Sequence, residues 1–297
     1  MKPIARTPGI LLGVAMGLLM ASAQSAVGAQ QGPKLPDNPN DLVRVVVHNE
    51  VTTPAVRESE FYSWKERIVK PSRTTVRQYV ETPQGLLART LTLNDRPLSK
   101  EDRAKEDARI RRLLDPKQMQ QKRKQQKEDE NRTKKLVAAL PDAFIYQYAG
   151  TEERDGHKLV NLKFTPNPNF DPPSRETLVF SGMEGSMTID VTAMRLAKID
   201  GTMVKDVSIG WGIIGHLDKG GKFFVEQAEV AKGNWEITKM RLNFTGKALI
   251  FKTIRIDETD TSTDFRQVPR MSIAEAIAFL DKADQDNGTI SARENYK

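Results

Sequence analysis

The sequence predicts an α+β protein built on a large curved antiparallel sheet, a half-open barrel of about ten or eleven strands with helices packed on its concave face. Three observations support this prediction. Segments with an apolar residue at every second position recur along most of the chain, which is the period of a half-buried strand. Short connections rich in Gly, Asn and Asp join them, so neighbouring strands are expected to run antiparallel. One long stretch, 99–140, is charged almost throughout and is predicted to be a helical insertion.

The N-terminal segment has the three regions of a secretory signal peptide. Lys2 and Arg6 supply positive charge, an uncharged apolar run follows at 9–21, and small residues lead to Ala29. This run is shorter than the roughly 18 apolar residues that a spanning helix needs. We therefore expect cleavage after Ala29 and a soluble periplasmic or secreted protein with no transmembrane span. Cleavage after Ala23 and an uncleaved N-terminal anchor are the alternatives.

The composition predicts where the charge lies and how the chain is divided. The formal net charge is +7 and there is no cysteine, so neither a disulfide nor a lipid-modified cysteine anchor can form. The segment 99–135 holds fourteen Lys and Arg against eight Asp and Glu, so the basicity belongs to one element. We predict a signal peptide at 1–29, a single β-rich domain at 30–283 with its insertion at 99–140, and a flexible tail at 284–297.

The first half of the mature chain is predicted to begin with a helix at 37–50, capped by Asn38 or Asn40. A meander of three strands follows at 61–93. Ser99 is then expected to cap the charged insertion, which Pro116 divides into two helices.

The second half returns to strands at residue 143. A hairpin is predicted at 144–164, and a proline-rich loop follows at 165–174. Further strands are predicted at 176–183, 186–190, 195–202, 204–211, 222–231, 235–244, 248–256 and 262–268. Within 235–244 the apolar residues change parity, which indicates a β-bulge or a bend.

A final helix is predicted from the capping box at 272–275, where Ser272 and Glu275 have the spacing for reciprocal hydrogen bonds. We expect this helix to end near Ala283.

No motif predicts catalysis, a metal site or a cofactor. The stretch 210–215 matches G-x-G-x-x-G, but no helix can follow it, so a tight bend between strands is the better interpretation. The histidines, His48, His157 and His216, stand far apart and lack the spacing of metal ligands. The sequence therefore predicts a protein that is not an enzyme.

A ligand site is predicted from large apolar residues of the strand-rich half. Methionine and aromatic side chains pack cores, which is the default interpretation, but they also line adaptable apolar cavities. The candidate ligand-binding residues are Phe164, Met183, Met187, Phe223 and Trp235.

A second candidate surface is the basic part of the insertion. A solvated charged helix explains it adequately, and an anionic envelope surface is the candidate partner. Nucleic acid is not expected, because aromatic residues are not interleaved with the basic ones. The candidate partner-binding residues are Lys122, Arg123, Lys124 and Lys127.

Short segments of the chain resemble a group of uncharacterised exported bacterial proteins. They are 140–144 (LPDAF), 164–168 (FTPNP), 172–176 (PPSRE), 210–212 (GWG) and 251–254 (FKTI). The pattern of a first helix, a long curved sheet and further helices is similar to the lipoprotein-carrier superfamily, the LolA/LolB-like half-barrels. That resemblance implies an acyl chain held inside the half-barrel, and so a lipid or lipoprotein as partner.

Three functional hypotheses follow, in order of preference. The first is an exported, non-enzymatic envelope protein that binds a lipid or acyl chain. The second is a structural or interaction protein that contacts its partner through the basic helix. The third is a hydrolase, which requires Asp or His side chains to converge in one pocket. The oligomeric state is not predicted.

Overall fold

The computed structural model describes residues 34–52, 60–209, 215–248 and 252–294. The chain from Leu35 onward forms one compact unit. The helices are α1 (Pro39–Thr52), α2 (Lys100–Arg111), α3 (Pro116–Ala143) and α4 (Ile273–Glu294). The strands are β1 (Phe61–Lys70), β2 (Arg73–Thr82), β3 (Gly85–Leu93), β4 (Arg96–Pro97), β5 (Phe144–Arg154), β6 (His157–Pro166), β7 (Met183–Asp190), β8 (Arg195–Met203), β9 (Val207–Ile209), β10 (Gly215–Leu217), β11 (Lys222–Ala231), β12 (Asn234–Ala248) and β13 (Lys252–Val268). The predicted signal peptide lies outside the described residues. The predicted first helix and the three-stranded meander are confirmed as α1 and β1–β3.

The strands form one antiparallel sheet in the order β4-β3-β2-β1-β13-β12-β11-β8-β7-β6-β5, with β9 and β10 as a short extension on β12. Strand β1 lies inside the sheet, and β2, β3 and β4 follow beside it in turn until β4 forms one edge. Helices α2 and α3 then carry the chain to the opposite edge at β5, and the later strands return until β13 pairs with β1. The predicted α+β fold, with a large antiparallel sheet that does not close, is confirmed. The charged insertion is the connection between the two ends of that sheet.

Two apolar clusters stabilise the sheet. The larger joins α1 and the end of α3 to β5–β8, and the smaller joins α4, Ile110 of α2 and Met119 of α3 to β1–β3. In α1 the residues Leu42, Val43, Val46 and Val47 are buried, so packing outweighs the low helix propensity of the valines.

The two clusters lie on opposite faces of the sheet. Directly paired residues share a face and alternate residues along a strand do not. One row of paired residues passes through Thr75, Ile68, Asp260, Met240, Val225, Ile199 and Met187. Met187 belongs to the larger cluster, whereas Val80, an odd number of positions from Thr75, belongs to the smaller. The prediction that the helices pack on one concave face is therefore wrong. Neighbouring strands rotate by roughly 20–25°, so one helix layer cannot follow a single face across eleven strands.

Helix side chains pair with β3, in the part that the two-residue strand β4 leaves uncovered, and with the edge strand β5. At β3, the side-chain amide of Gln126 bonds to both backbone groups of Leu86. At β5, the Nδ2 of Asn40 donates to the carbonyl oxygen of Phe144 at 3.1 Å, and the Oδ1 of Asn40 accepts the N–H of Tyr146 at 3.5 Å. These contacts occupy groups that an exposed edge strand would offer to another chain.

The predicted starts of the two insertion helices are confirmed by their N-caps, whereas the predicted end at residue 140 is wrong, since α3 continues to Ala143. The hydroxyl of Ser99 accepts the N–H of Asp102 at 3.1 Å, and the carboxylate of Asp115 accepts the N–H of Lys117 at 2.8 Å. Pro116 therefore stands in the first turn of α3, where its missing N–H costs nothing. Asn38 rather than Asn40 caps α1, since its side chain accepts the N–H of Asn40 at 3.0 Å.

The predicted bulge in β12 is confirmed, since Lys239 pairs with Glu226 and Ile237 pairs with Gln227. Thr238 is the extra residue, and the bulge places Ile237 and Met240 on the same face.

One predicted strand is wrong, and another is confirmed only in part. Residues Glu176–Gly182 form a 3-10 segment, because the hydroxyl of Thr177 donates to the carbonyl oxygen of Ser174 at 2.8 Å and starts a turn. The strand predicted at 204–211 shortens to β9, and the glycine-rich bend at 210–214 lies outside the described residues. The separate strands predicted at 248–256 and 262–268 are largely one strand, β13.

The C-terminal helix begins as predicted: the N–H of Ser272 donates to Glu275 at 2.8 Å, and the N–H of Glu275 donates back to the Ser272 hydroxyl at 3.3 Å. Its predicted end at Ala283 is wrong, since α4 continues to Glu294. Asp284, assigned to the tail, is 2% exposed because two arginines bind its carboxylate. Among the described residues, no helix combines the length and the apolar character that a membrane span requires.

Candidate functional site

The middle of α3 passes over the ends of several strands and borders two adjoining open cavities, which we call the α3 groove. The larger cavity has a volume of about 970 Å³ and the smaller about 270 Å³. Glu50, Thr133 and Lys134 line both. The two cavities therefore lie side by side, one at the β2–β3 turn and the other at the β11–β12 turn.

Glu50 forms the wall between the two cavities. Its carboxylate accepts the N–H of Leu196 at 2.9 Å and pairs with Arg195 at 3.1 Å, which ties the end of α1 to the start of β8. Burial raises the pKa of Glu50, while the Leu196 N–H and the Arg195 charge oppose that shift. The side chain of Arg195 is 14% exposed, and its Nε has no hydrogen-bond partner among the described residues.

The smaller cavity is mainly apolar. Val51, Val137, Leu196, Trp235 and Ile237 line it. Ile237 is 45% exposed although it lies beside other apolar side chains. The bulge at Thr238 is responsible for this arrangement, because it turns the start of β12 so that Trp235 and Ile237 face α3.

The larger cavity is bordered by charges of both signs. Arg123, Lys127 and Lys134 come from α3, together with Asp129 and Glu130. Glu60 and Glu81 approach from the strand ends, beside the apolar residues Phe61 and Leu86. The groove thus contains an apolar cavity beside a charged cavity.

The five predicted ligand residues do not come together in this groove. Phe164, Met183 and Met187 are at most 4% exposed inside the larger cluster and border neither cavity of the groove. Phe223 packs against that cluster, half-buried. Trp235 alone among them lines the smaller cavity. The sequence could assign these residues to an apolar face, but it could not show which part of that face is filled.

The predicted partner-binding residues divide into two groups. Arg123 and Lys127 border the larger cavity, and Lys124 is exposed to solvent. Lys122 is half-buried, and its pKa is lowered by burial and by the nearby charge of Arg109. Three of the four are therefore accessible to a partner.

A pocket that sequence reasoning missed lies at the ends of β6 and β7. The Nδ1 of His157 is 2.5 Å from Oδ2 of Asp190, and Asp190 is 1% exposed. Its other oxygen accepts the N–H groups of Thr192 and Ala193 at 2.8 and 2.9 Å. These contacts hold the imidazole in one orientation in the wall of a cavity of about 580 Å³, with the ring edge of Trp235 nearby. No local motif signals the pair, because its two members are 33 residues apart.

A carboxylate fixed against a histidine can orient a general base or a metal ligand. Within the described part of the chain, no group of three or more His, Asp or Glu side chains is arranged to hold a metal ion.

Comparison with known proteins finds similar solved structures from bacteria. One is a DUF1329 family protein from Desulfovibrio piger ATCC 29098, with 14% sequence identity, 79% of this chain and 94% of that chain covered, and a TM-score of 0.27. Another is the LolA superfamily protein NE2245 from Nitrosomonas europaea, with 10% identity, 79% and 96% covered, and a TM-score of 0.28. No protein-family model and no curated protein matches the chain. The second of these proteins bears the name of the superfamily that the sequence resembles.

Proposed function

We propose that this chain is an exported, non-enzymatic envelope protein that binds an amphiphile, an acyl chain with a charged head group, in the α3 groove. The supporting observation is that the apolar cavity around Trp235 and Ile237 adjoins the charged cavity beside Arg123 and Lys127. Export is inferred from the signal peptide that the sequence predicts.

The apolar cavity is the site we assign to the acyl chain. Ile237 leaves nearly half of its side chain in water beside Trp235 and Val137. Covering such surface is favourable by about 25 cal/mol per Å², and methylene groups are the ligand atoms that do this without unpaired polar groups. Contacts of this kind tolerate chains of different length, as a carrier of mixed lipids requires.

The charged cavity is the site we assign to the head group. Basic side chains of α3 and carboxylates from the strand ends border the same space. A head group that carries both a phosphate and an ammonium group would find partners of opposite sign for each charge. Zwitterionic phospholipids are therefore the expected ligand class.

The test is to purify the mature chain from Gln30 under native conditions, extract it with organic solvent and identify bound lipids by mass spectrometry. We expect lipid in near-stoichiometric amount, and displacement by an environment-sensitive apolar dye. The substitution Ile237→Asp should lower dye affinity about tenfold or more, because a carboxylate would replace an apolar contact.

Ile145→Asp is the matched control, since Ile145 is 46% exposed but lies on β5, away from the groove. An empty protein that also fails to bind the dye would contradict the proposal. So would an equal loss of affinity in the two variants.

A hydrolase is the second candidate, favoured by the His157–Asp190 pair because convergence of such groups is what that hypothesis requires. The imidazole would activate a water molecule as general base. Hydrolysis of 4-nitrophenyl acyl esters that disappears in His157→Gln, with folding unchanged, would support it. Equal rates in the two proteins would contradict it.

A further inference from the structure

The corner between α2 and α3, together with the exposed positions along α3, forms a strongly basic surface. Residues 111–135 hold ten Lys and Arg against four Asp and Glu, a net charge of +6. Every one of these ten basic residues except Lys122 is exposed. We call these exposed side chains the basic face.

Ion pairs neutralise little of the basic face. Lys124 lies 4.0 Å from Glu128, and Arg132 lies 3.5 Å from Asp129. All four side chains are more than half exposed, and pairs of this kind contribute little to stability and are readily exchanged for another partner. The positive charge is therefore available to an anionic surface.

An exposed leucine identifies the kind of surface. Leu114 is 52% exposed, the highest value among the large apolar side chains of the described residues. It stands at the corner between α2 and α3, with Arg112 and Lys117 close to it in the chain. A soluble polyanion offers no contact for this side chain. A lipid surface offers phosphate to the basic residues and an apolar layer to the leucine.

We propose that the basic face docks on an anionic lipid surface, with Leu114 entering the head-group layer. Arg123 and Lys127 belong both to the basic face and to the border of the larger cavity of the α3 groove. Docking would therefore bring the mouth of the groove to the membrane, where an amphiphile can enter without crossing water. This last consequence rests on the proposed function, whereas the docking itself does not.

The test is co-sedimentation of the mature chain with vesicles of phosphatidylcholine alone and of equal parts phosphatidylcholine and phosphatidylglycerol. Binding is expected only to the anionic vesicles, and it should weaken steeply as salt is added. Each basic side chain near such a surface contributes about a fivefold factor in partition. The triple variant Arg112→Glu, Lys117→Glu, Lys124→Glu should therefore bind at least about 100-fold more weakly.

The matched control is Lys219→Glu, Lys232→Glu, Lys252→Glu, which makes the same change of net charge at exposed positions outside the insertion. It should retain vesicle binding within about threefold, since distant charges are screened. Leu114→Ser should weaken binding several-fold without removing the salt dependence. Circular dichroism and thermal unfolding establish that each variant is folded.

Binding of wild-type protein to neutral vesicles as strong as to anionic ones, or no binding at all, would overturn the proposal. An equal loss in the two triple variants would do so as well, and an unchanged Leu114→Ser variant would overturn the assignment to lipid. None of the residues changed in these variants borders either cavity of the α3 groove. Failure of ligand binding in the groove is therefore observed separately, with Ile237→Asp.

Discussion

The side-chain amide of Gln126 in α3 pairs with both backbone groups of Leu86 in β3, donating to the carbonyl oxygen at 2.9 Å and accepting the N–H at 3.3 Å. Two residues further along this edge, Arg109 donates to the carbonyl oxygen of Ala88 at 2.6 Å. Side chains of the insertion thus take the positions that a further strand would occupy. The charged insertion consequently has a structural role in addition to the proposed surface role.

Substitution of Gln126 by Ala should reopen that edge. Two backbone groups lose their partners, so we expect the free energy of unfolding to fall by about 1–2 kcal/mol. The freed edge should also promote self-association at high concentration. Urea unfolding and light scattering measure the two effects. Gln125→Ala, at the exposed neighbouring position, is the control, and equal effects in both variants would contradict the role of Gln126.

Arg89 connects three elements through one buried guanidinium. It binds Asp107 of α2, and Asp281 and Asp284 of α4, and its own side chain is 4% exposed. Arg89→Met would leave the buried carboxylate of Asp284 with Arg103 as its remaining ion-pair partner among the described residues. Removing one partner of a buried ion pair costs about 3–5 kcal/mol, and we expect a loss of this size in urea unfolding.

The control for Arg89 is an exposed pair of the same chemistry. Arg67 binds Asp95, and both side chains are more than 40% exposed. Arg67→Met should therefore cost less than about 1 kcal/mol. A similar cost for the two arginine variants would show that burial does not determine the energy of these pairs.

The sequence predicted the elements best where one local signal dominates. The β11 strand, the helix caps at Ser99 and Ser272 and the bulge in β12 follow from alternation, capping chemistry and a change of apolar parity. It failed at Glu176–Gly182, where apolar residues suggested a strand but side-chain hydrogen bonds of Ser174 and Thr177 form a turn.

The site was less predictable, because it depends on contacts between distant residues. Nothing local indicates that Asp284 meets Arg89, so a polar segment was assigned to a tail instead of a helix. Methionines and phenylalanines on strands do not reveal whether the space before them is filled, and Met183 and Met187 are buried in the larger cluster. The composition of the sequence predicted that α3 is basic. It could not predict that α3 lies beside Trp235, because that contact depends on the fold.

Asp260 should make the stability depend on pH. Burial and the nearby carboxylates of Glu258 and Glu66 raise its pKa from 3.8 to about 6, against the opposing charge of Lys70. Ionisation is thus harder in the folded protein, so the stabilisation that Asp260 contributes is complete below about pH 4 and is lost as the pH rises through 6. Asp260→Asn should raise the free energy of unfolding by about 1–3 kcal/mol at pH 8 and leave it nearly unchanged at pH 4.

The comparison for Asp260 is its exposed neighbour Asp257 in the same strand. Thermal unfolding of Asp257→Asn at the two pH values should show little difference from wild type. A gain for Asp260→Asn that is as large at pH 4 as at pH 8 would contradict the link to ionisation.

Asp190 should be needed for stability because it joins two turns. Its carboxylate contacts His157 from the β5–β6 turn and accepts two N–H groups of its own β7–β8 turn, while almost none of it reaches solvent. Asp190→Ala removes an acceptor of charge-assisted hydrogen bonds and leaves buried donors unpaired, so we expect a loss of about 2–4 kcal/mol in urea unfolding. Asp171→Ala, in an exposed loop, should remain within about 0.5 kcal/mol of wild type. If Asp190→Ala had the same free energy of unfolding as that control, the carboxylate would not stabilise the fold. Its buried position would then have to be explained by a role in the pocket that it shares with His157.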